Sequence, residues 1–302
     1  MKNSIALSYI SMALAWVLWA MDPILIRVIG DDVSRPLMAG ISSLLAGIVL
    51  LYPAIKGYRF LAKRRDLWLG FGSYILFGTV LANLCYVIAI RNMNPGLVGL
   101  ILRSQVAMII LSAWIFWGER PNGTVLTGLC VVALGYAGTA YFMKPASGLE
   151  IQRNPVLGWI CAIGAAGLWT SGTLLGKRLM EKIQSSHLCG MRLLTAGIVT
   201  CLAHICFGGG GEYLALSGRQ WVIIVLKSAF CTAFSYALYM YGLHLAPVTA
   251  AAAMEQAAPL LTLCVSAFLL HENIAAAQWL TVAVVFAGAA IILVNQYRKS
   301  QR

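Results

Sequence analysis

Charge is what this chain has least of. Charged residues make up 11% of its 302 positions and Asp plus Glu number 10, against about 25% charged residues in an ordinary soluble domain. That scarcity excludes the soluble globular class. A hydrophobic share of 60% and a mean hydropathy of +0.82 point instead to a chain that lives in lipid. Metal and disulfide patterns are missing too. The four histidines (His187, His204, His244, His271) are dispersed, and the eight cysteines contain no Cys-x-x-Cys pair and all fall within apolar runs, so they read as small packing residues. His271-Glu272-Asn273 lacks the second histidine of a zinc-protease helix, and Gly172 to Lys177 has the wrong spacing for a phosphate loop. Gly208 to Gly211 read as a flexible connector. No catalytic residue, metal or cofactor is expected, and an enzyme is not the expected class.

What is present is a set of long apolar runs, and it is present twice. Gly40, Ala46, Gly47, Ile48 and Val49 recur 150 positions later as Gly190, Ala196, Gly197, Ile198 and Val199, and Trp19 recurs as Trp169. Asn94-Pro95 is answered by Ala246-Pro247, Gly118-Glu119 by His271-Glu272 and Gly135 by Gly288. A spanning helix needs roughly 20 apolar residues. The runs predict an all-α membrane protein of about ten spans, near 4–26, 36–55, 67–90, 95–117, 123–143, 156–176, 187–207, 219–243, 248–270 and 276–295. The repeats are placed at 1–146 and 147–302, five helices in each. An odd number of spans turns the second copy upside down. Such inverted repeats characterise secondary transporters, whose substrate sites lie near the bilayer midplane.

Orientation follows from the basic residues. Lys2, Lys56, Arg59, Lys63, Arg64, Arg65, Arg120, Lys177, Arg178, Lys182, Arg298, Lys299 and Arg302 fall on one side, and the smaller set Arg27, Arg35, Arg91, Lys144, Arg153 and Arg219 on the other. Positive charge marks the cytoplasmic face, so both termini are expected inside a bacterial inner membrane. The net charge of +12 then reflects topology and attraction to anionic lipid, with no nucleic-acid partner. The first apolar run reaches about Ile26 without a small-residue cleavage site and reads as a retained span.

Four ionisable residues remain at membrane depth: Arg103, Arg192, Lys227 and Glu255. A charge near the bilayer centre costs on the order of 3 kcal/mol even on the lenient insertion scale, so each needs a partner or a wet cavity. Arg103 lies eight residues beyond Pro95 and Glu255 eight beyond Pro247, each about 12 Å along its helix. They occupy one position of the two repeats and are expected to face each other, either as a structural salt bridge or as the poles of a polar substrate site. Lys227 is expected to add positive field, and Glu255 is also the proton-coupling candidate. Arg192, closer to the cytoplasmic edge, is read as free to snorkel toward headgroups. Trp19, Trp169, Tyr86, Tyr236 and Tyr239, with the polar Asn83, Gln105 and Gln256, are the candidate lining. Small residues at Gly128, Gly135, Gly138, Ala283, Ala287 and Gly288 suggest close helix packing.

The stretch from Ala237 to Ile274, with Pro247, Pro259 and Glu272 in place, resembles the second repeat of EamA-like members of the drug/metabolite transporter superfamily. The first repeat matches through Asn94-Pro95 and Gly118 to Pro121, without a counterpart of Pro259. The resemblance implies a ten-helix inverted-repeat fold and export of metabolites or amino acids from bacterial cells, but no universal binding motif. The expected partner is a small polar, amino-acid-like metabolite carried by alternating access. A lipid headgroup is the alternative, and an intramembrane enzyme or signalling subunit the more distant one.

Overall fold

In a computed structural model the described residues are 2–30, 33–92, 95–118, 120–142, 154–256, 261, 265 and 276–301. Asn94, Glu119, Pro259 and Glu272, which carry part of the family resemblance, lie outside them. The chain is an all-α membrane protein with no strand among the described residues. Its helices are α1 (Lys2–Ile29), α2 (Arg35–Val49), α3 (Leu51–Lys63), α4 (Trp68–Ile75), α5 (Ala82–Asn92), α6 (Pro95–Leu102), α7 (Gln105–Trp117), α8 (Gly123–Phe142), α9 (Pro155–Met180), α10 (Ser185–Cys206), α11 (Glu212–Ala215), α12 (Gly218–Lys227), α13 (Ser235–Leu245), α14 (Val248–Glu255) and α15 (Ala276–Gln301).

Local chemistry sets these boundaries. Pro95 and Pro155 open helices where a missing N–H costs nothing, and Pro247 sits at the N-cap of α14. Ser217 and Gln220 form a reciprocal capping box on α12. Asn122 and Asn154 accept from the first-turn amides of α8 and α9. Gly118, at φ +65°, ends α7 in a left-handed conformation that a side chain resists.

Five described helical stretches are long and apolar enough to cross a membrane: Ala6–Ile26, Arg65–Ile90, Pro155–Met180, Ser185–Cys206 and Gly218–Leu245. The expected second span bends by 84° between α2 and α3. Beyond the bend, α3 buries Ala54, Gly57 and Leu61 and exposes Tyr52, Ile55, Lys56 and Arg59. Part of the basic segment that reads as a cytoplasmic loop is therefore an amphipathic helix. Two long stretches carry π-helical turns, at Leu76–Leu81 between α4 and α5 and at Ser228–Phe234 between α12 and α13. These positions correspond across the repeats.

The chain forms two compact units, each drawing on both halves of the sequence, so the repeat and the unit are different divisions of it. The first comprises Asn3–Ile75 and Leu175–Leu245, the second Leu76–Leu174 and Ala246–Arg302. In the first unit α2 crosses α10. A methyl on Gly47 would lie 2.5 Å from the Leu194 Cα, one on Gly197 would clash with the Leu44 nitrogen, and one on Gly40 would lie 2.9 Å from the Cys201 sulfur. Rising numbers on one helix meet falling numbers on the other, so these two equivalent helices run antiparallel, as inverted repeats require. Bare glycines let the backbones touch.

The second unit repeats the device with α8 and α15. A methyl on Gly135 would clash with Val285, one on Gly128 would meet Ile292 at 2.5 Å, and one on Gly288 the Val132 nitrogen at 2.7 Å. Asn122 and Asn295 exchange side-chain hydrogen bonds at one end of this crossing. In the same unit Gly78, in the first π turn, meets Gly172 backbone to backbone.

Candidate functional site

In the second unit the expected fourth span breaks at the residue singled out for its charge. Helix α6 ends at Leu102, Arg103 and Ser104 form a turn, and α7 restarts at Gln105. The Ser104 amide donates to the Ile101 carbonyl at 3.0 Å, three residues back. Helix α14 ends at Glu255, where the Gln256 amide donates to the Ala253 carbonyl at 3.2 Å. These are the same bond at the same repeat position. Each is a three-residue bond in place of the four-residue bond of a regular α-helix, a local tightening of the last turn.

Tyr136 of α8 stands at both turns. The Arg103 guanidinium carbon lies 5.9 Å from its ring centroid, and its hydroxyl donates to the Gln256 carbonyl at 3.3 Å. Among the described residues the ion pairs are Arg64–Asp66, His204–Glu212 and Lys227–Asp22. Arg103 and Glu255 do not make one. Gln105 and Gln256 are buried, and the Gln256 side-chain carbonyl has no hydrogen-bond partner. Tyr86 and Trp169 meet with ring centroids 5.4 Å apart, and Tyr86 packs on an apolar cluster that also takes Leu102, next to Arg103. Asn83 is half-buried one turn before Tyr86.

In the first unit Trp19, Tyr236 and Tyr239 come together as one aromatic cluster with Trp16. Trp19 lies 4.5 Å from Trp16, 4.8 Å from Tyr236 and 5.2 Å from Tyr239, centroid to centroid. Lys227 is accounted for differently from the expectation. Its ammonium makes a 2.8 Å ion pair with Asp22 and donates to the Ser42 hydroxyl at 3.2 Å, so its positive field is largely neutralised on the spot. Lys177 likewise donates to the Leu243 and His244 carbonyls at the end of α13.

Three participants escape sequence reasoning. Tyr136 is hidden in a stripe of small residues that reads as packing. Asp22 sits close enough to a helix end to look interfacial. Arg192 does not snorkel: it is half-buried, donates to the Tyr74 hydroxyl at 3.1 Å and lies 5.1 Å from the ring centroids of both Tyr74 and Tyr236. A tyrosine on each side would have been a signal only with the third and eighth spans already packed against the seventh.

Comparison with known proteins fits this architecture. The sequence profile of the EamA-like transporter family matches residues 6–141 and again 156–294. A Bacillus subtilis protein named uncharacterized transporter YvbV is 23% identical, covering 89% of this chain and 85% of its own. A probable amino-acid metabolite efflux pump of Escherichia coli is 28% identical over 55% of this chain and 52% of its own length. An S-adenosylmethionine uptake transporter of Rickettsia prowazekii is 40% identical over 40% of this chain and 39% of its own. A solved crystal structure superposes with a TM-score of 0.78 at 18% identity, covering 99% of both chains, and speaks for the fold alone.

Proposed function

This chain belongs to the EamA-like transporter family, and from that premise we propose that it exports a small polar metabolite, an amino acid or related zwitterion or anion, by alternating access at a site near the bilayer midplane. The observation that carries the reading is the pair of matched turns at Arg103 and Glu255, which keep a guanidinium and a carboxylate within spans without joining them as an ion pair. Charges held at such cost without an ion pair among the described residues suit a ligand that brings both signs with it. Arg103 holds the carboxylate through its planar fork. Glu255 meets the ammonium or carries a proton. Gln105, Gln256, Asn83, Tyr86 and Trp169 are the candidate lining residues within the second unit, and Trp19, Tyr236 and Tyr239 form an aromatic cluster of their own within the first.

The names of two relatives, an amino-acid metabolite efflux pump and an S-adenosylmethionine uptake transporter, support an amino-acid-like substrate. Export follows the relative with the longer of those two matches. The basic-residue asymmetry supports an inner-membrane location with both termini in the cytoplasm.

The test is counterflow of labelled amino acids in proteoliposomes containing only this protein. Saturable exchange of at least one is expected, with Arg103→Gln lowering it tenfold or more. Glu255→Gln is expected to abolish flux driven by a pH gradient while leaving counterflow. No exchange across the panel overturns the reading.

A further inference from the structure

Arg192 lies seven residues, about 10 Å, into α10. A guanidinium there needs more than two ring faces. Cation–π contact supplies about 0.5–2 kcal/mol per ring, and of the five N–H donors one is used among the described residues, on the Tyr74 hydroxyl. Among the described residues no carboxylate reaches ion-pair distance of Arg192, and the acidic group of this unit's membrane interior, Asp22, is taken by Lys227. Two ring contacts at 5.1 Å and one hydrogen bond to a ring hydroxyl leave the other N–H donors for a ligand.

The surroundings continue the pattern. Tyr236, beside Arg192, meets Trp19 at 4.8 Å, and Trp19 meets Trp16 at 4.5 Å. The Trp16 indole N–H is buried without a hydrogen-bond partner. The cluster thus offers uncommitted donors, a net positive charge and a continuous aromatic wall. Donors without a matching acceptor select an anion, and the wall selects an apolar body attached to it.

We infer that Arg192, with Tyr74, Tyr236, Trp19 and Trp16, forms a second substrate-recognition site, which takes the carboxylate of the transported metabolite on Arg192 and its ring-bearing or apolar portion on Trp19 and Tyr236. This rests on the carrier reading above and adds to it the substrate's shape: a carboxylate next to a flat apolar group. It also gives the first unit its own anion contact, separate from Arg103.

The experiment measures binding of phenylalanine, leucine and phenylethylamine to the purified full-length protein by thermal shift, alongside counterflow of the two amino acids in proteoliposomes. Phenylalanine is expected to bind more tightly than leucine, for want of a ring in the latter, and more tightly than phenylethylamine, which lacks the carboxylate. Arg192→Gln is expected to weaken phenylalanine by about tenfold or more, the scale of a charge-assisted bidentate contact, while leaving phenylethylamine unchanged. A merely structural arginine would shift both ligands together. Arg192→Lys, which keeps the charge but not the fork, is expected to restore binding only in part, and it serves as the second variant should Arg192→Gln fail to fold. Wild-type counterflow with carboxylate discrimination intact in both variants overturns this inference and leaves the carrier reading standing. Wild type that neither binds nor exchanges any amino acid overturns both.

Discussion

Lys227 in the first compact unit and the Arg103–Glu255 positions in the second are held in opposite ways. In the first, Lys227 is buried against Asp22 and Ser42, a closed arrangement with little left to offer a ligand. In the second, Arg103 and Glu255 stand at tightened turns with Tyr136 beside them and no ion pair between them. Repeat symmetry sharpens the contrast. The position equivalent to Asp22 is Gly172, which makes a bare backbone contact with Gly78 in the second unit. One copy of the ancestral helix contact is thus filled by an ion pair and the other by nothing but glycine. A deep charge that arrives with its partner reads as architecture; one that arrives without reads as a waiting site.

That contrast breaks most visibly at Asp22. Asp22→Asn leaves the Lys227 ammonium buried without its counter-charge and is expected to cost about 3–5 kcal/mol, the scale for a half-broken buried pair. Combining it with Lys227→Met should recover most of that loss and retain transport, as read by detergent-solubilised thermal unfolding and by counterflow. A double variant that is stable but inactive would move Lys227 into the substrate path.

The glycine crossings come next. Gly47→Ala places a methyl against the Leu194 backbone, which has no rotamer to yield, and is expected to destabilise by about 1–3 kcal/mol. Gly72→Ala, with open space around it, should cost none of that overpacking. Equal melting temperatures for these two variants would contradict the tight crossing.

Tyr136→Phe removes the hydroxyl that reaches the Gln256 carbonyl and is expected to cost about 1 kcal/mol, as a single hydrogen bond does. Its effect on Arg103-dependent exchange should be larger than its effect on melting. Arg103→Gln is expected to change stability less than Asp22→Asn does while lowering exchange tenfold or more, because it strands no paired carboxylate. The smallest effect belongs to Asp66→Asn. Its partner Arg64 is equally exposed, so the melting temperature should not move measurably.

Much of the fold is legible in the sequence because glycine records close approach. Gly40, Gly47, Gly190 and Gly197 are the repeat's clearest letters; Gly40, Gly47 and Gly197 are contact residues of α2 and α10, and Gly190 of α10 meets Leu50 and Ala54 at the start of α3. The equivalence of Arg103 and Glu255 is legible because Pro95 and Pro247 fix the start of each count. Partners distant in sequence are not legible: Asp22 and Lys227 are 205 positions apart, and no spacing rule joins them. Depth counted along a helix also misleads, since Arg192 looks close to the headgroups until Tyr74 and Tyr236 are seen around it. The π turns carry no proline and no shared glycine. Thr79 and Thr232 are the polar residues they have in common, too weak a trace to announce a change of helix type.

Those π turns have a consequence for the repeat. A widened turn is rare in a helix and is found frequently at functional sites. Here it stands at Leu76–Leu81 and again at Ser228–Phe234, at one register of both halves. Independent acquisition at matched positions would require the same accident twice. The matched placement makes the irregularity a property of the repeat itself, shared by both copies. What distinguishes the halves, from the Asp22–Lys227 pair to arginine at position 103 and glutamate at position 255, is set on a helix irregularity that both keep.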